Sequence, residues 1–329
     1  KSHLKDFLIF SKVKNNKNFQ KHTKIKPIFN YTMKYLEILM SENNGNLDLS
    51  GKDIIELPDG LSVMGDLNLC EAKITKIPEN LSVYGCLDLR RTPIRDLPKN
   101  LKIFGDLDLR GTHITTLHNN FTVGGCLDLR RTHITKLPQN LVIGGSLDLR
   151  FTNISQLSDN LTVLGDLNLS ETTIKKLPNN LTVCGDLNLN KTQITELPKN
   201  MAVWGALDLS NTPIIELQDN LTVFGDLNLQ STRIKKLPNN LTVFGSLYLS
   251  GTDITELPKR LNVRDSLQLS VTPIIYLPSN LTVYGDLDVC YTKIRSLPKN
   301  LKVFGDLNLR NTKIRKLPDN LMVTGKIIE

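Results

Sequence analysis

Apolar and polar residues recur along this chain with a period of 20 residues, from Gly51 to the end of the sequence. A typical unit reads ETTIKKLPNNLTVCGDLNLN, from Glu171 to Asn190. When each unit is numbered from the equivalent of Gly51, position 4 is Ile in all fourteen units and position 7 is Leu except at Ile77. Positions 17 and 19 are Leu in nearly every unit. A fixed period of this length predicts one elongated repeat array in place of separate globular domains.

Each unit contains the pattern of one β-strand and one extended return. Positions 17 and 19 flank a polar position, which is the alternation of a strand with one buried face. A 20-residue unit cannot bury that face alone, so we expect the units to stack into a parallel sheet. Position 8 is usually Pro, as at Pro58 and Pro178. Because Pro fixes φ and lacks an N–H, it favours extended, polyproline-like or short 3₁₀ return segments. The predicted fold is a repeat solenoid with a parallel sheet on one face.

Glycine and two polar residues recur at fixed positions of the unit. Gly at position 15, absent only at Asp265, predicts a sharp bend before the strand. Thr occupies position 2 from Thr92 to Thr312, and Asn occupies position 10 in twelve units. We expect both polar ladders to satisfy backbone groups at the bends of the stack.

The unit motif LxLxxTxIxxLP resembles the leucine-rich repeat LxLxxNxLxxLP, with Thr in place of the usual Asn. Its length and its Leu-Pro pair are similar to the LPX-type subclass, which is found in type III secreted effectors of enteric pathogens, including ubiquitin ligases. The resemblance covers residues 45–329 and implies a leucine-rich-repeat solenoid. This chain has Asn-Leu-Thr-Val where the subclass has a second Leu-Pro. The ligases need a separate catalytic domain with a Cys nucleophile, and no ligase residue is carried over to this sequence.

The net charge of +8 is concentrated near the start of the sequence. Residues 1–32 hold eight Lys and one Asp, whereas the rest holds 33 basic and 32 acidic residues. We expect 1–32 to be a disordered basic leader. It is either upstream read-through before a natural start at Met33, or a flexible basic tail, or part of a longer N-terminal region. Residues 33–46 are predicted to form a capping helix and turn, and 47–329 the solenoid. We expect no standard secretory signal and no membrane span.

The first candidate contact surface is a run of charges on the strands of four successive units. Position 18 is Asp and position 20 is Arg in these units, and both should line the concave face of the sheet. One hypothesis is a strip that binds an acidic partner segment. The alternative is a self-neutralising lattice whose exposed pairs contribute little. The residues are Asp88, Arg90, Asp108, Arg110, Asp128, Arg130, Asp148 and Arg150.

The second candidate surface lies where the unit loses its regularity. Arg260, Arg264 and Asp265 replace Asn, an apolar or aromatic residue, and Gly. Larger side chains also stand nearby at positions that are elsewhere small or polar. Tyrosine suits protein contact, although drift of the repeat explains these changes equally well. These larger residues are Tyr248, Gln268, Val271, Tyr276 and Tyr291.

Three further sets of residues are assigned no function. Position 14 is often aromatic and is predicted to form a side wall of the core; its aromatic members include Trp204, Phe224, Phe244, Tyr284 and Phe304. His113 and His133 should lie on neighbouring rungs, but a metal site would need more ligands in fixed geometry. Cys86 and Cys126 should lie about 10 Å apart, which is too far for a disulfide.

The sequence contains no HExxH, P-loop, GxSxG or dinucleotide motif. We therefore predict a non-catalytic scaffold that binds a partner protein, and no cofactor, metal or small-molecule substrate. One alternative is the recognition part of a longer ubiquitin-ligase-type effector. Another is nucleic-acid binding through the basic leader, which the nearly neutral array disfavours. A third is that the array has no partner and serves only as a spacer. We expect a monomer unless the C-terminal end pairs, located in the cytoplasm or secreted into a host cell without a standard signal peptide.

Overall fold

The structure, a computed structural model, describes residues 33–329, and the predicted basic leader lies outside them. The one helix in this range, α1, spans Met33–Glu42. Leu36 on this helix is fully buried and belongs to the same apolar cluster as the first strand. The helix is followed by a turn in which Asn44 and Gly45 adopt positive φ. Helix α1 therefore covers apolar surface at the first rung of the array.

Fifteen two-residue strands pair in parallel and in chain order to form the long sheet. The register advances by one unit, so that Leu67 lies beside Leu87. The N–H of Leu67 donates to the Cys86 carbonyl at 2.8 Å, and the N–H of Leu69 to the Asp88 carbonyl at 2.8 Å. This is the parallel sheet that the sequence predicts. The strands are Leu47–Asp48, Leu67–Asn68, Leu87–Asp88, Leu107–Asp108, Leu127–Asp128, Leu147–Asp148, Leu167–Asn168, Leu187–Asn188, Leu207–Asp208, Leu227–Asn228, Leu247–Tyr248, Leu267–Gln268, Leu287–Asp288, Leu307–Asn308 and Ile327–Ile328.

A second set of strands, the return ladder, forms at positions 12 and 13, which the sequence analysis did not identify as strand. It is divided into groups of three, four, four and three strands. Elsewhere the return path is extended, and residues 33–329 contain no 3₁₀ helix. The first two groups are Ser62–Val63, Ser82–Val83 and Lys102–Ile103, then Thr122–Val123, Val142–Ile143, Thr162–Val163 and Thr182–Val183. The last two are Ala202–Val203, Thr222–Val223, Thr242–Val243 and Asn262–Val263, then Thr282–Val283, Lys302–Val303 and Met322–Val323.

One continuous apolar core runs between the long sheet and the return path, from Leu36 to Leu309. Ile74, Ile94 and Ile114 at position 4 have no exposed surface. Each unit closes the core of its neighbours, which confirms the stacking inferred from the 20-residue period.

The glycine column at position 15 packs more tightly than the sequence analysis assumed. From Gly65 to Gly245 each N–H donates to the carbonyl of the preceding member at 2.9–3.1 Å. A Cβ added to Gly105 would lie 2.6 Å from the carbonyl carbon and oxygen of Gly85. Close approach of successive rungs therefore excludes a side chain, and none of these glycines adopts positive φ.

The two predicted polar ladders behave differently. The Thr ladder is confirmed: the hydroxyl of Thr92 is buried and donates to the Leu89 carbonyl at 2.7 Å, and the units up to Thr292 repeat this bond. The prediction for Asn is wrong. The Asn140 amide donates to the side chain of Asn120 at 3.1 Å, so these exposed amides bond to one another. An Asn side chain at the edge of the turn reaches its copy on the next rung, 20 residues away.

A third ladder, at position 16, was missed. The carboxylate of Asp66 accepts the N–H of Cys86 at 2.7 Å, and the hydroxyl of Ser146 accepts the N–H of Asp166 at 2.9 Å. Position 16 therefore holds neighbouring rungs together by side-chain acceptors, which explains its preference for Asp and Ser.

Position 1 adopts a left-handed backbone in every unit, with φ between 55° and 71°. Only Gly51, Gly111 and Gly251 are glycines there, while Val271 is β-branched. This conformation costs about 1–2 kcal/mol for an L-residue. The N–H of position 1 still donates to the next rung, as from Glu71 to the Arg90 carbonyl at 2.8 Å. The stack therefore imposes the turn on residues that do not favour it.

Ser158 occupies the Pro slot at position 8, and its hydroxyl is buried without a hydrogen bond. We predict that Ser158→Pro raises the free energy of unfolding by about 1 kcal/mol. It removes the unpaired hydroxyl and restricts the unfolded chain, at a slot whose neighbouring units carry Pro138 and Pro178. Urea unfolding followed by circular dichroism measures the change.

The matched control is Gln218→Pro, in the same slot of another unit, where the side chain is partly exposed. Its free energy of unfolding should rise by less, because Gln218→Pro restricts the unfolded chain but removes no buried, unpaired hydroxyl. A lower unfolding midpoint for Ser158→Pro than for the unmodified chain would contradict this account.

Candidate functional site

The Asp–Arg lattice comprises the eight residues from Asp88 to Arg150 identified in the sequence, and they lie on the outer face of the long sheet. Within one unit, Arg130 donates through Nε and Nη2 to Asp128, with Nη2 2.6 Å from Oδ2. The Nε of Arg130 also lies 3.3 Å from Asp148 of the next unit. All four arginines are held by the Asp of their own unit in this way.

The charges of this lattice cancel within it. The hydrogen bonds that Arg110 donates to Asp108 raise the pKa of Arg110, and those that Arg150 donates to Asp148 raise the pKa of Arg150. The carboxylates are about one-fifth exposed, and the arginines are between 27% and 40% exposed. The geometry is that of the self-neutralising arrangement, the second of the two interpretations drawn from the sequence.

Position 18 also stabilises the backbone. Asp128 Oδ1 accepts the N–H of Arg130 at 3.1 Å, and Asn168 Oδ1 accepts that of Ser170 at the same distance. Asn and Asp are thus equivalent as backbone acceptors there, which explains why the column alternates between them. Only the Asp members add charge to the face.

The aromatic stripe is formed by position 14, and its prediction as a side wall of the core is wrong. Trp204 is 60% exposed and Tyr284 is 59% exposed. Positions 11 and 13 point into the core, so position 14 follows the strand alternation and points outward. That parity was the signal available in the sequence. The large apolar members are Met64, Tyr84, Phe104, Leu164, Trp204, Phe224, Phe244, Tyr284 and Phe304.

Rings of the stripe stack on one another along the array. Trp204 lies 4.8 Å from Phe224 and Phe224 lies 5.0 Å from Phe244, between ring centroids, with the planes within 10° of parallel. The guanidinium of Arg264 lies 4.3 Å from the centroid of Phe244. Tyr84 with Phe104 and Tyr284 with Phe304 form two further stacks. The stacked rings cover one another's faces and present their edges to solvent.

Residues of the second predicted surface lie in different columns of the array. Tyr248 and Gln268 are neighbours on the outer face of the long sheet and are half-buried. Val271 and Tyr291 lie in the left-handed column at position 1 and are more than 60% exposed. Tyr276 donates from its hydroxyl to Glu256 at 3.2 Å. The structure therefore does not gather these residues into one cluster.

The histidine and cysteine candidates show no catalytic or metal-binding arrangement. The rings of His113 and His133 meet edge to face, 5.5 Å between centroids. Within residues 33–329 no group of three or more His, Cys, Asp or Glu is placed to hold a metal ion. Cys86 and Cys126 are free and exposed. Burial raises the pKa of the Cys290 thiol to about 11, assisted by the neighbouring Asp288, which makes this thiol a poor nucleophile at neutral pH.

The described part of the chain contains no helix with the length and hydrophobicity of a membrane span.

These features define a class of protein: a leucine-rich-repeat solenoid with a charged lattice on its sheet and an aromatic stripe on its return side. No family model and no curated protein matches the chain. Among solved structures it is similar to YopM, a leucine-rich effector protein from Yersinia pestis, with 17% identity and a TM-score of 0.50 over 89% of this chain and 91% of that one. This similarity supports the fold.

Two further solved structures are similar to the chain. YopM from Yersinia enterocolitica WA-314 has 22% identity and a TM-score of 0.48, over 85% of this chain and 72% of that one. A leucine-rich-repeat protein of Leptospira interrogans has 21% identity and a TM-score of 0.47, over 88% and 95% of the two chains.

We predict that the lattice stabilises the array through two separable contributions at position 18. Asp128→Asn keeps the backbone acceptor and removes the charge, so it should lower the free energy of unfolding by about 1 kcal/mol. Asp128→Ala removes both and should cost about 1 kcal/mol more. Urea unfolding of both variants measures the difference.

Asn228→Ala is the control, because within residues 33–329 its side chain accepts only the N–H of Gln230, at 3.0 Å. The free energy of unfolding that this variant loses should equal the difference in free energy of unfolding between Asp128→Asn and Asp128→Ala. Equal stability of Asp128→Asn and Asp128→Ala would show that the backbone bond contributes nothing.

Proposed function

We propose that this chain is a non-catalytic scaffold that binds a partner protein, and that the aromatic stripe forms part of its contact surface. The observation that carries the proposal is the exposure of large aromatic rings on a rigid ladder. Contiguous exposed apolar surface is uncommon on soluble proteins except where they bind. Aromatic residues are also enriched at protein interfaces.

The backbone at Phe224 and Phe244 in the stripe is held by the return ladder. The N–H of Phe224 donates to the Val203 carbonyl at 2.9 Å, and that of Phe244 to the Val223 carbonyl at 3.0 Å. Stacking against neighbouring rings restricts the side chains as well. A partner that docks here has little conformational entropy to remove, which favours affinity.

Ring geometry favours a protein partner over a nucleic acid. Single-stranded nucleic acids bind aromatic platforms by stacking a base on a free ring face. In the stack from Trp204 to Phe244, the faces of Phe224 are covered on both sides and Arg264 covers the outer face of Phe244. Apart from the outer face of Trp204, what remains is a ribbon of ring edges, which suits the apolar surface of a protein.

Similarity supports a finer role and a location for this scaffold. The LPX-like repeat and the YopM-like fold support a bacterial effector that acts on a host protein. An effector would act in the cytoplasm of the host cell after secretion without a standard signal peptide. The Asp–Arg lattice, with Arg91 and Arg131 beside it, supplies a second, polar contact surface in this proposal.

We predict that the double variant Trp204→Ser/Phe224→Ser binds its partner more weakly, by about thirtyfold, because aromatic anchors dominate interface energies. Immobilised full-length chain is used to capture proteins from a candidate host lysate. The affinity of each captured protein is then measured by surface plasmon resonance. Thermal unfolding of each variant shows whether its fold is retained.

Ile215→Ser is the matched control, because Ile215 is also 60% exposed but lies outside the stripe. It should retain the captured partner within about twofold. The proposal is wrong if the double variant and the control capture the same proteins with equal affinity, if no protein is captured, or if nuclease treatment removes the binding.

A further inference from the structure

The return ladder opens between Asn262–Val263 and Thr282–Val283, where these two neighbouring strands do not pair. Neither Thr282 nor Tyr284 donates its N–H across this step, whereas Phe304 donates to the Val283 carbonyl at 3.0 Å one rung later. The long sheet passes the same point without interruption. A depression of about 260 Å³ lies at the opening, which we call the basic gap. Leu261, Leu281 and Tyr284 form its apolar lining.

Asp265 disturbs the glycine column on the rung that precedes this opening. It is the residue that replaces Gly in the glycine column, where an added Cβ approaches the preceding rung too closely. Its N–H makes no bond to Gly245, although each glycine before it bonds in this way. The bond on its other side, from Gly285 to the Asp265 carbonyl, is lengthened to 3.2 Å. A side chain at this position therefore removes one hydrogen bond of the glycine column, although the strands Thr242–Val243 and Asn262–Val263 of the two rungs still pair.

Three cations surround the basic gap without an anionic partner. Lys259 and Arg260 line it, and Arg264 lies beside it. None of the three forms an ion pair within residues 33–329. Asp265 is the one acidic residue in the segment 258–284. Its carboxylate accepts a hydrogen bond from the Ser266 hydroxyl at 3.3 Å. The local charge is therefore positive, in contrast to the neutral Asp–Arg lattice.

The chain contains an internal comparison for this site. The return ladder also opens between Thr182–Val183 and Ala202–Val203. The stretch equivalent to 258–265 is there 178–185, which carries no cation and has Gly185 in the glycine column; Lys199 lies on the rung after that opening. Opening of the ladder is therefore separable from the cluster of positive charge.

We propose that the basic gap binds an acidic segment of the partner protein, with an aromatic or large apolar side chain inserted against Leu261, Leu281 and Tyr284. Carboxylates of the segment pair with Lys259 and Arg260, whose charges are otherwise uncompensated. The gap thus anchors the partner at the end of the stack from Trp204 to Arg264. This inference rests on the proposed scaffold function and adds to it the chemistry of the partner.

Shape and charge favour a peptide over other anionic polymers. The depression is small, about 260 Å³, and is lined by polar as well as apolar side chains, which suits one inserted side chain flanked by charged groups. The positive charge is confined to neighbouring positions of one unit, whereas a nucleic-acid groove needs cations that follow a backbone over several nucleotides. A short acidic segment matches both features.

The test is selection of random 12-residue peptides, displayed on phage, against the full chain. Counter-selection uses the regularised variant Arg260→Asn/Arg264→Phe/Asp265→Gly, which gives this unit the residues found at Asn240, Phe244 and Gly245. We expect recovered peptides to be enriched in Asp and Glu beside an aromatic or large apolar residue. By fluorescence anisotropy, they should bind the regularised variant at least about tenfold more weakly. Replacing their Glu and Asp with Gln and Asn should have the same effect.

Lys199→Asn is the matched control, because it removes a cation at the other opening; it should keep peptide affinity within about twofold. The proposal is overturned if selection yields no acidic enrichment, if the regularised variant binds equally, or if the oligonucleotide (dT)12 loses affinity on regularisation while the peptides do not. A captured partner could bind the regularised variant normally and yet fail to bind Trp204→Ser/Phe224→Ser. That result would contradict the proposal for the basic gap and would still support the scaffold function.

Discussion

The architecture depends on one constraint: a 20-residue unit has an apolar face that it cannot bury by itself. Ile74, Leu67 and Leu69 are fully buried because the units on either side cover them. The backbone bonds follow the same rule, since the strand N–H groups of one unit find their acceptors on the next. Stability is then a sum of contacts between nearest neighbours, and any residue that disturbs the spacing of the rungs has a local effect. Asp265 is such a residue, because its side chain stands where the stack has room only for glycine.

Exact repetition also determines what the surface can be. Residues at one position form a column, so a single choice in the unit becomes a ladder of amides, a lattice of ion pairs or a stack of rings. The columns differ in what they offer to a partner. The Asp–Arg lattice satisfies itself internally, whereas the aromatic stripe presents ring edges to solvent. Departures from the unit add the specificity that a uniform column lacks, and the basic gap between residues 258 and 284 is the clearest departure in the described part of the chain.

The sequence was sufficient for the fold because one strong period determines it. The strands at positions 17 and 18, the buried Ile column and the Thr92 bond all follow from alternation and from the need to satisfy backbone groups. The failures came from distances between rungs, which a one-dimensional pattern does not contain. Close backbone approach explains the glycine column, and the amide bond from Asn140 to Asn120 depends on the same spacing. Trp204 was assigned to the core because apolar character was weighed above strand parity. The interruption of the return ladder between Asn262–Val263 and Thr282–Val283 is likewise not contained in the sequence pattern.

Deletion of one unit tests the stacking constraint most directly. Removing residues 171–190 joins two units in register, whereas removing 171–180 joins them half a unit out of phase. In the full chain the N–H groups of Leu167 and Leu169 donate to the Asp186 and Asn188 carbonyls. Amide hydrogen exchange at these two residues is the measurement. The account predicts that protection survives the 20-residue deletion, because the next rung supplies the same acceptors, and is lost in the 10-residue deletion. Equal protection in both variants, or its loss in the first, would contradict it.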